Sequence, residues 1–209
     1  MQFNPEEADT LWKLLSWRRD VRHFTDRPIA PEIQERLRHS MDAAPSVGNA
    51  RPWRVLRVEH PAHRQAVRAA FETARHAASD AYDSERRTAY LALKLAGLDA
   101  APLQLAVFTE TEPAEGAGLG RTTMPQTLEQ STAMAIHTLW LAARAENIGL
   151  GMVSILEPAA MERLFRVPAS WRFSAYLCLG HAAFDDDRPL LHRKDWQHDT
   201  VTEWRAAEP

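Results

Sequence analysis

The stretch 126–147 places Leu128, Ser131, Ala135, Leu139 and Ala142 down one side of a helix, with Ile136, Trp140 and Ala143 beside them. Apolar residues recurring at spacings of three and four define one helical face. This face is wider than a surface stripe and is set with small side chains, so burial on more than one side is expected. Such a helix either runs through the centre of a fold or forms an interface between two copies of the chain. In both cases the remaining elements must be arranged around it.

Those elements read as helices and strands that do not alternate one for one. Leu11, Leu14 and Leu15, with Trp12, give 6–19 one apolar face, and Ile33, Leu37 and Met41 do the same for a helix that Pro31 opens and Pro45 ends. The segment 53–58 alternates as a half-buried strand, and His60-Pro61 restarts a helix through Val67, Ala70 and Phe71. A further helix is expected over 85–98, a central strand over 104–108, and a loop of small residues over 112–120. Gly149 is the expected stop of the long helix, and strands over 151–156 and 173–179 flank a short helix at 158–165. Helices outnumber strands, which favours an α+β layered sheet over a doubly wound parallel one. At 209 residues, with no linker or internal repeat, one domain spanning 1–209 is expected.

Charge and cysteine usage exclude several function classes. The net charge of −3 and pI near 6.3 give no nucleic-acid footprint. No run of eighteen apolar residues interrupts the chain, so no membrane span is expected, and the amino terminus lacks a basic region followed by an apolar stretch. The single cysteine, Cys178, lies in an apolar run and reads as a small core residue. A reduced, cytoplasmic protein is the expectation. The nine histidines show no metal-ligand spacing, so no metal is expected.

The chemistry concentrates in three segments. Trp17-Arg18-Arg19-Asp20-Val21-Arg22 carries three arginines within five residues, a set able to hold a phosphate by charge and forked hydrogen bonds. Its aspartate could move protons beside that phosphate, although such a run is also what a solvated helix end looks like. Pro45-Ser46-Val47-Gly48-Asn49-Ala50-Arg51-Pro52-Trp53 exposes backbone amides at a helix exit, and Gly48 would let a planar ligand approach; a plain helix-to-strand turn is the alternative. Met152-Val153-Ser154-Ile155 puts a hydroxyl in an apolar strand, either on a neighbouring carbonyl or at a reactive ring. Gly116-Ala117-Gly118-Leu119-Gly120 does not read as a dinucleotide fingerprint, because its spacing is wrong and no helix opens on it. Ser154 lacks the nucleophile elbow of a hydrolase.

Together with Gly120-Arg121-Thr122, Leu93-Lys94-Leu95 and Leu139-Trp140-Leu141-Ala142-Ala143-Arg144-Ala145-Glu146, these segments resemble the flavin-dependent nitroreductase superfamily. Within it the resemblance is to the branch of 5,6-dimethylbenzimidazole synthases, from about Trp17 to Trp196. It implies an α+β sandwich with a mixed or antiparallel sheet, an intertwined homodimer with FMN in two interface sites, and a tail over 185–209 that wraps the partner. It also implies that Arg18, Arg19 and Arg22 hold the FMN phosphate and ribityl chain, that Lys194 reaches the phosphate, and that Asp20 and Val21 belong to the same cofactor site. Ser46 and Gly48 would line the ring, Ser154 and Ile155 would sit over its reactive edge, and Pro45, Asn49, Arg51 and Val153 would complete the cofactor site. The implied reaction is an oxygen-dependent fragmentation of reduced FMN, with Asp20 and Ser154 handling protons and a separate flavin reductase as a candidate supplier. The chain departs from that branch at Ala50-Arg51, Gln130 and His137-Thr138. An NAD(P)H-dependent reductase of nitro compounds, quinones or halogenated aromatics is the alternative, and a flavin-storage protein a second one.

Overall fold

The computed structural model describes residues 1–93 and 97–207. Lys94 and Leu95 of the Leu93-Lys94-Leu95 motif lie outside the described residues. The elements run α1 (Pro5–Trp17), α2 (Pro31–Asp42), β1 (Trp53–Arg57), α3 (Pro61–Ser79), α4 (Ser84–Ala92), β2 (Leu103–Glu110), α5 (Thr127–Ala145), β3 (Gly149–Val153), α6 (Pro158–Phe165), β4 (Trp171–Gly180) and α7 (Leu190–Arg193). Two short 3-10 turns lie at Val47–Asn49 and Glu115–Gly118.

The four strands form one antiparallel sheet in the order β1-β2-β4-β3. Strand β2 is inner and buried along its whole length, as its apolar stretch Leu105–Phe108 requires, with Gln104, Thr109 and Glu110 buried beside it. Alternation sorts its side chains into two layers. Leu103, Leu105 and Val107, with Ala175, Leu177 and Leu179 of β4, face a core shared with α2 and α5. Ala106 and Phe108, with Tyr176 and Cys178, face the opposite core, to which α3 and α6 contribute Val67, Phe71 and Met161. The chain is thus an α+β sandwich with helices on both faces of the sheet.

Helix α5 occupies the position its wide face demands. Leu128, Ser131, Thr132, Ala135, Ile136, Leu139 and Ala143 are buried, and Trp140 and Ala142 pack against the same core. Each fully buried leucine of this kind contributes about 1.5–3 kcal/mol by leaving water. The end of α5 differs from expectation: Asn147, in the left-handed region at φ 56°, turns the chain. Gly149 is instead the first residue of β3.

Helix α1 also differs. A capping box between Asn4 and Glu7 starts it, yet none of its residues is buried. Leu14 and Leu15 are half-buried, whereas Leu11, Trp12 and Trp17 remain 49%, 67% and 44% exposed, so the expected apolar face is only partly covered within one chain.

Candidate active site

The arginine run leaves α1 and is laid directly against β3. Asp20 forms an isolated parallel bridge with Leu150, and the Val21 amide donates to the Leu150 carbonyl at 3.0 Å. Two glycines make this approach possible. A Cβ on Gly149 would stand 2.9–3.0 Å from the Val21 side chain, and one on Gly151 would collide with the Val21 carbonyl oxygen. The Gly-Leu-Gly spacing of β3 therefore reflects close packing of two backbones.

The Asp20 carboxylate closes this junction. It accepts the Met152 amide at 2.9 Å and pairs with the Arg22 guanidinium. Burial pushes its carboxyl above the ordinary range, against the pull of Arg22 and of the Met152 amide. Arg18 lies over the Trp140 ring, 4.9 Å from its centroid, and the Trp140 indole donates to the Arg19 carbonyl at 3.1 Å. Arg19 donates to the carbonyls of Arg18 and Asp187, both at 2.6 Å. Its Nε is buried and has no hydrogen-bond partner among the described residues.

These residues wall a cavity of about 240 Å³ whose rim includes Arg18, Arg19, Arg22, Arg144 and Arg188 together with Asp20. Burial, and after it the like charge of Arg19, disfavour the Arg18 cation, a setting that a bound anion relieves. An unused buried donor among convergent guanidinium groups fits a phosphate. Of the residues expected to hold flavin, the chain brings Arg18, Arg19, Asp20, Val21 and Arg22 to this cavity. Val21 contributes backbone there, since its side chain packs into the core. Lys194, exposed just after α7, borders an adjoining hollow that shares His23, Phe184 and Arg188 with the first.

The second group of expected residues lies elsewhere in the chain. The Val47 amide donates to Ser131 Oγ at 3.0 Å, nine residues before Trp140 on α5. That is about 14 Å along the helix axis. Pro45, Ser46, Gly48, Asn49, Arg51, Val153, Ser154 and Ile155 do not line the arginine cavity. Ser46 Oγ accepts the Arg51 amide at 3.1 Å and staples the turn. Packing alone already requires Gly48. Its φ is 55°, and a Cβ there would meet the carbonyls of Gly116 and Leu119 at 3.0 Å. The Val153 side chain is buried in the α3/α6 core, so strand alternation leaves only its backbone for a ligand. Ser154 is exposed beyond the end of β3, and Ile155 packs against the α3/α6 core.

Trp140 and Arg144 entered the sequence reading only as part of a helix face and a family motif, and neither they nor the acids 185–187 were expected in the site. Trp140 and Arg144 are four apart on one helix, a spacing that puts them on the same face and was there to be found. Cys178 is fully buried, and burial pushes its thiol up to about 12, as expected of a core residue. No metal-binding cluster exists among the described residues.

Residues 15–181 match the profile of the nitroreductase family. A 5,6-dimethylbenzimidazole synthase of Rhodobacter capsulatus is 61% identical over 204 residues, covering 98% of this chain and 99% of that protein. One from Rhodospirillum rubrum is 48% identical, covering 93% and 92%. Among solved structures, oxidised iodotyrosine deiodinase bound to FMN and 3-iodo-L-tyrosine superposes with a TM-score of 0.73 at 20% identity, covering 94% of this chain and all of that one. The chain belongs to the nitroreductase family, on its 5,6-dimethylbenzimidazole synthase branch.

Proposed function

We propose that this chain is a 5,6-dimethylbenzimidazole synthase with reduced FMN and dioxygen as substrates and 5,6-dimethylbenzimidazole and erythrose 4-phosphate as products. The observation that supports it most is the arginine cavity with Asp20 at its junction with β3, in a chain 61% identical to such a synthase over nearly its whole length. In this reading Arg18, Arg19 and Arg22, with Lys194, hold the phosphate, and their fixed attachment to β3 orients the ligand.

Asp20 is the proton-handling group. Its carboxyl is raised by burial, so it takes up and returns a proton nearer neutrality than an exposed aspartate does. Ser154 supplies a hydroxyl two residues beyond Met152, whose amide holds Asp20. The segment 45–51 meets α5 about 14 Å from the arginine run, so a second copy of the chain is assigned the task of bringing its ring-lining residues to the cavity. The exposed Leu11, Trp12 and Trp17 are the surface for that copy. Reduced flavin arrives from a separate reductase.

A single-turnover reaction tests this reading. Protein is mixed with excess reduced FMN without oxygen, oxygen is admitted, and products are separated and weighed by mass spectrometry. Dimethylbenzimidazole in proportion to protein is expected, and Asp20→Asn should bind FMN within about twofold of wild type while losing at least about a hundredfold in product. Intact oxidised FMN from the wild type would overturn the reading; an ensuing oxidation of NAD(P)H with an added acceptor would identify a reductase.

A further inference from the structure

We infer that Arg144 is a further phosphate-binding residue of the arginine cavity, favouring phosphorylated over unphosphorylated flavin, and that Asp185 competes with the phosphate for it and moderates that preference. This rests on the flavin reading above and deepens it.

Arg144 projects from the last turn of α5, four residues after Trp140, so the two side chains lie one above the other on the cavity wall. Trp140 already positions the two phosphate-run residues, Arg18 by its ring and Arg19 through its indole N–H. Arg144 thus belongs to the same rigid wall. Its side chain is 24% exposed, and its Nη1 lies 3.2 Å from Asp185 Oδ1.

Asp185 stands on the chain that leaves β4 and crosses the cavity mouth. Phe184 packs on His23, with ring centroids 5.4 Å apart, and the Asp187 carbonyl accepts from Arg19. The neighbouring acids point away from α5: Asp186 and Asp187 both pair with Arg193 at 2.6 Å. Asp185 is the acid given to Arg144, and its side chain is 71% exposed, so it can swing into water with little loss.

A phosphomonoester brings about −1.5 to −2 charge and three acceptor oxygens, against one carboxylate. It can take the Arg144 fork from Asp185 and engage the unused Arg19 Nε as well. Riboflavin carries no anion and leaves the Arg144–Asp185 pair in place. The FMN preference then comes from the Arg144 fork and the Arg19 Nε, which only a phosphate engages, and Asp185 lowers that preference by what it costs to part it from Arg144.

Oxidised FMN and riboflavin, titrated separately into the full chain with flavin fluorescence as the readout, test the inference. Arg144→Ala should weaken FMN about tenfold and leave riboflavin within about twofold, the loss expected for a charge-assisted fork. Asp185→Asn should tighten FMN about threefold, and that gain should vanish in the double variant. Arg144→Lys, which keeps the charge and loses the fork, should recover part of the FMN preference. Equal losses for both flavins in Arg144→Ala, or weaker FMN binding in Asp185→Asn, would make the pair a structural tie and overturn the inference. Wild type binding both flavins equally would overturn it while sparing the flavin reading; wild type binding neither would sink both.

Discussion

At Gly151 one missing methyl group decides whether the site exists. The Val21 carbonyl occupies the space that a Cβ at position 151 would need, and the neighbouring Asp20 carboxylate reaches Met152 only because the two backbones touch. Gly151→Ala forces the arginine run off β3. Strain of this kind costs about 1–3 kcal/mol, and it also breaks the bridge that aims Asp20. The expected outcome is a lower melting temperature together with loss of FMN binding. A variant that melts lower yet binds FMN as wild type does would show that the run is positioned by other contacts. Gly48 makes a parallel case, for there too the glycine serves the packing of two chain segments, 47–49 against 115–120.

The segment after β4 behaves as an element although it contains only one short helix. At one end Phe184, Asp185 and Asp187 rest on His23, Arg144 and Arg19. At the other, Trp196 packs between Tyr82 and Tyr90, with ring centroids at 5.6 and 6.1 Å, and carries the Arg86 guanidinium at 4.7 Å. Aromatic pairs of this geometry contribute about 0.5–1.5 kcal/mol each beyond their area. Trp196 therefore latches the strap to the corner between α3 and α4, and holds it across the cavity. Trp196→Ala should leave the melting temperature of the sandwich nearly unchanged while exposing the strap to limited proteolysis between 184 and 196. Cleavage no faster than in wild type would mean that the arginine contacts alone hold it.

Across the described residues, part of the large apolar surface left in water lies on α1, on α5 and on the turn before α5, while Val55, Phe184, Leu191, Val201 and Trp204 are exposed elsewhere. Leu11, Trp12 and Trp17 on α1, Leu119 and Met124 on the turn before α5, and Met134 on α5 itself are all at least 40% exposed. Helices α1 and α5 contact each other, which puts the exposed side chains of α1 next to α5. Exposed patches of large apolar residues mark interfaces. Light scattering should give twice the 23.7 kDa chain mass, and Trp12→Glu should shift the population toward monomer and weaken FMN binding with it. A wild-type monomer at micromolar concentration would remove the second copy from the proposed site, and with it the way residues 45–51 reach the cavity.

Much of this architecture was legible without coordinates, because periodicity records which side of an element is covered. The wide face of α5, the inner strand β2 and the stripe of Leu37 and Met41 all follow from residue spacing and are buried as expected. The arginine run was legible as a candidate phosphate holder, since the fork and charge of arginine need no fold to be recognised, and the structure gathers its residues at one cavity. What the tertiary structure alone decided are contacts between residues remote in sequence. Asp20 meets Met152 across 132 positions, Arg19 meets Asp187 across 168, and Arg144 meets Asp185 across 41. The same is true of the glycines, whose purpose is set by whichever backbone lies opposite. A spacing pattern encodes burial within one element, whereas a cavity is made by several elements at once, and only their packing says which donor faces which acceptor.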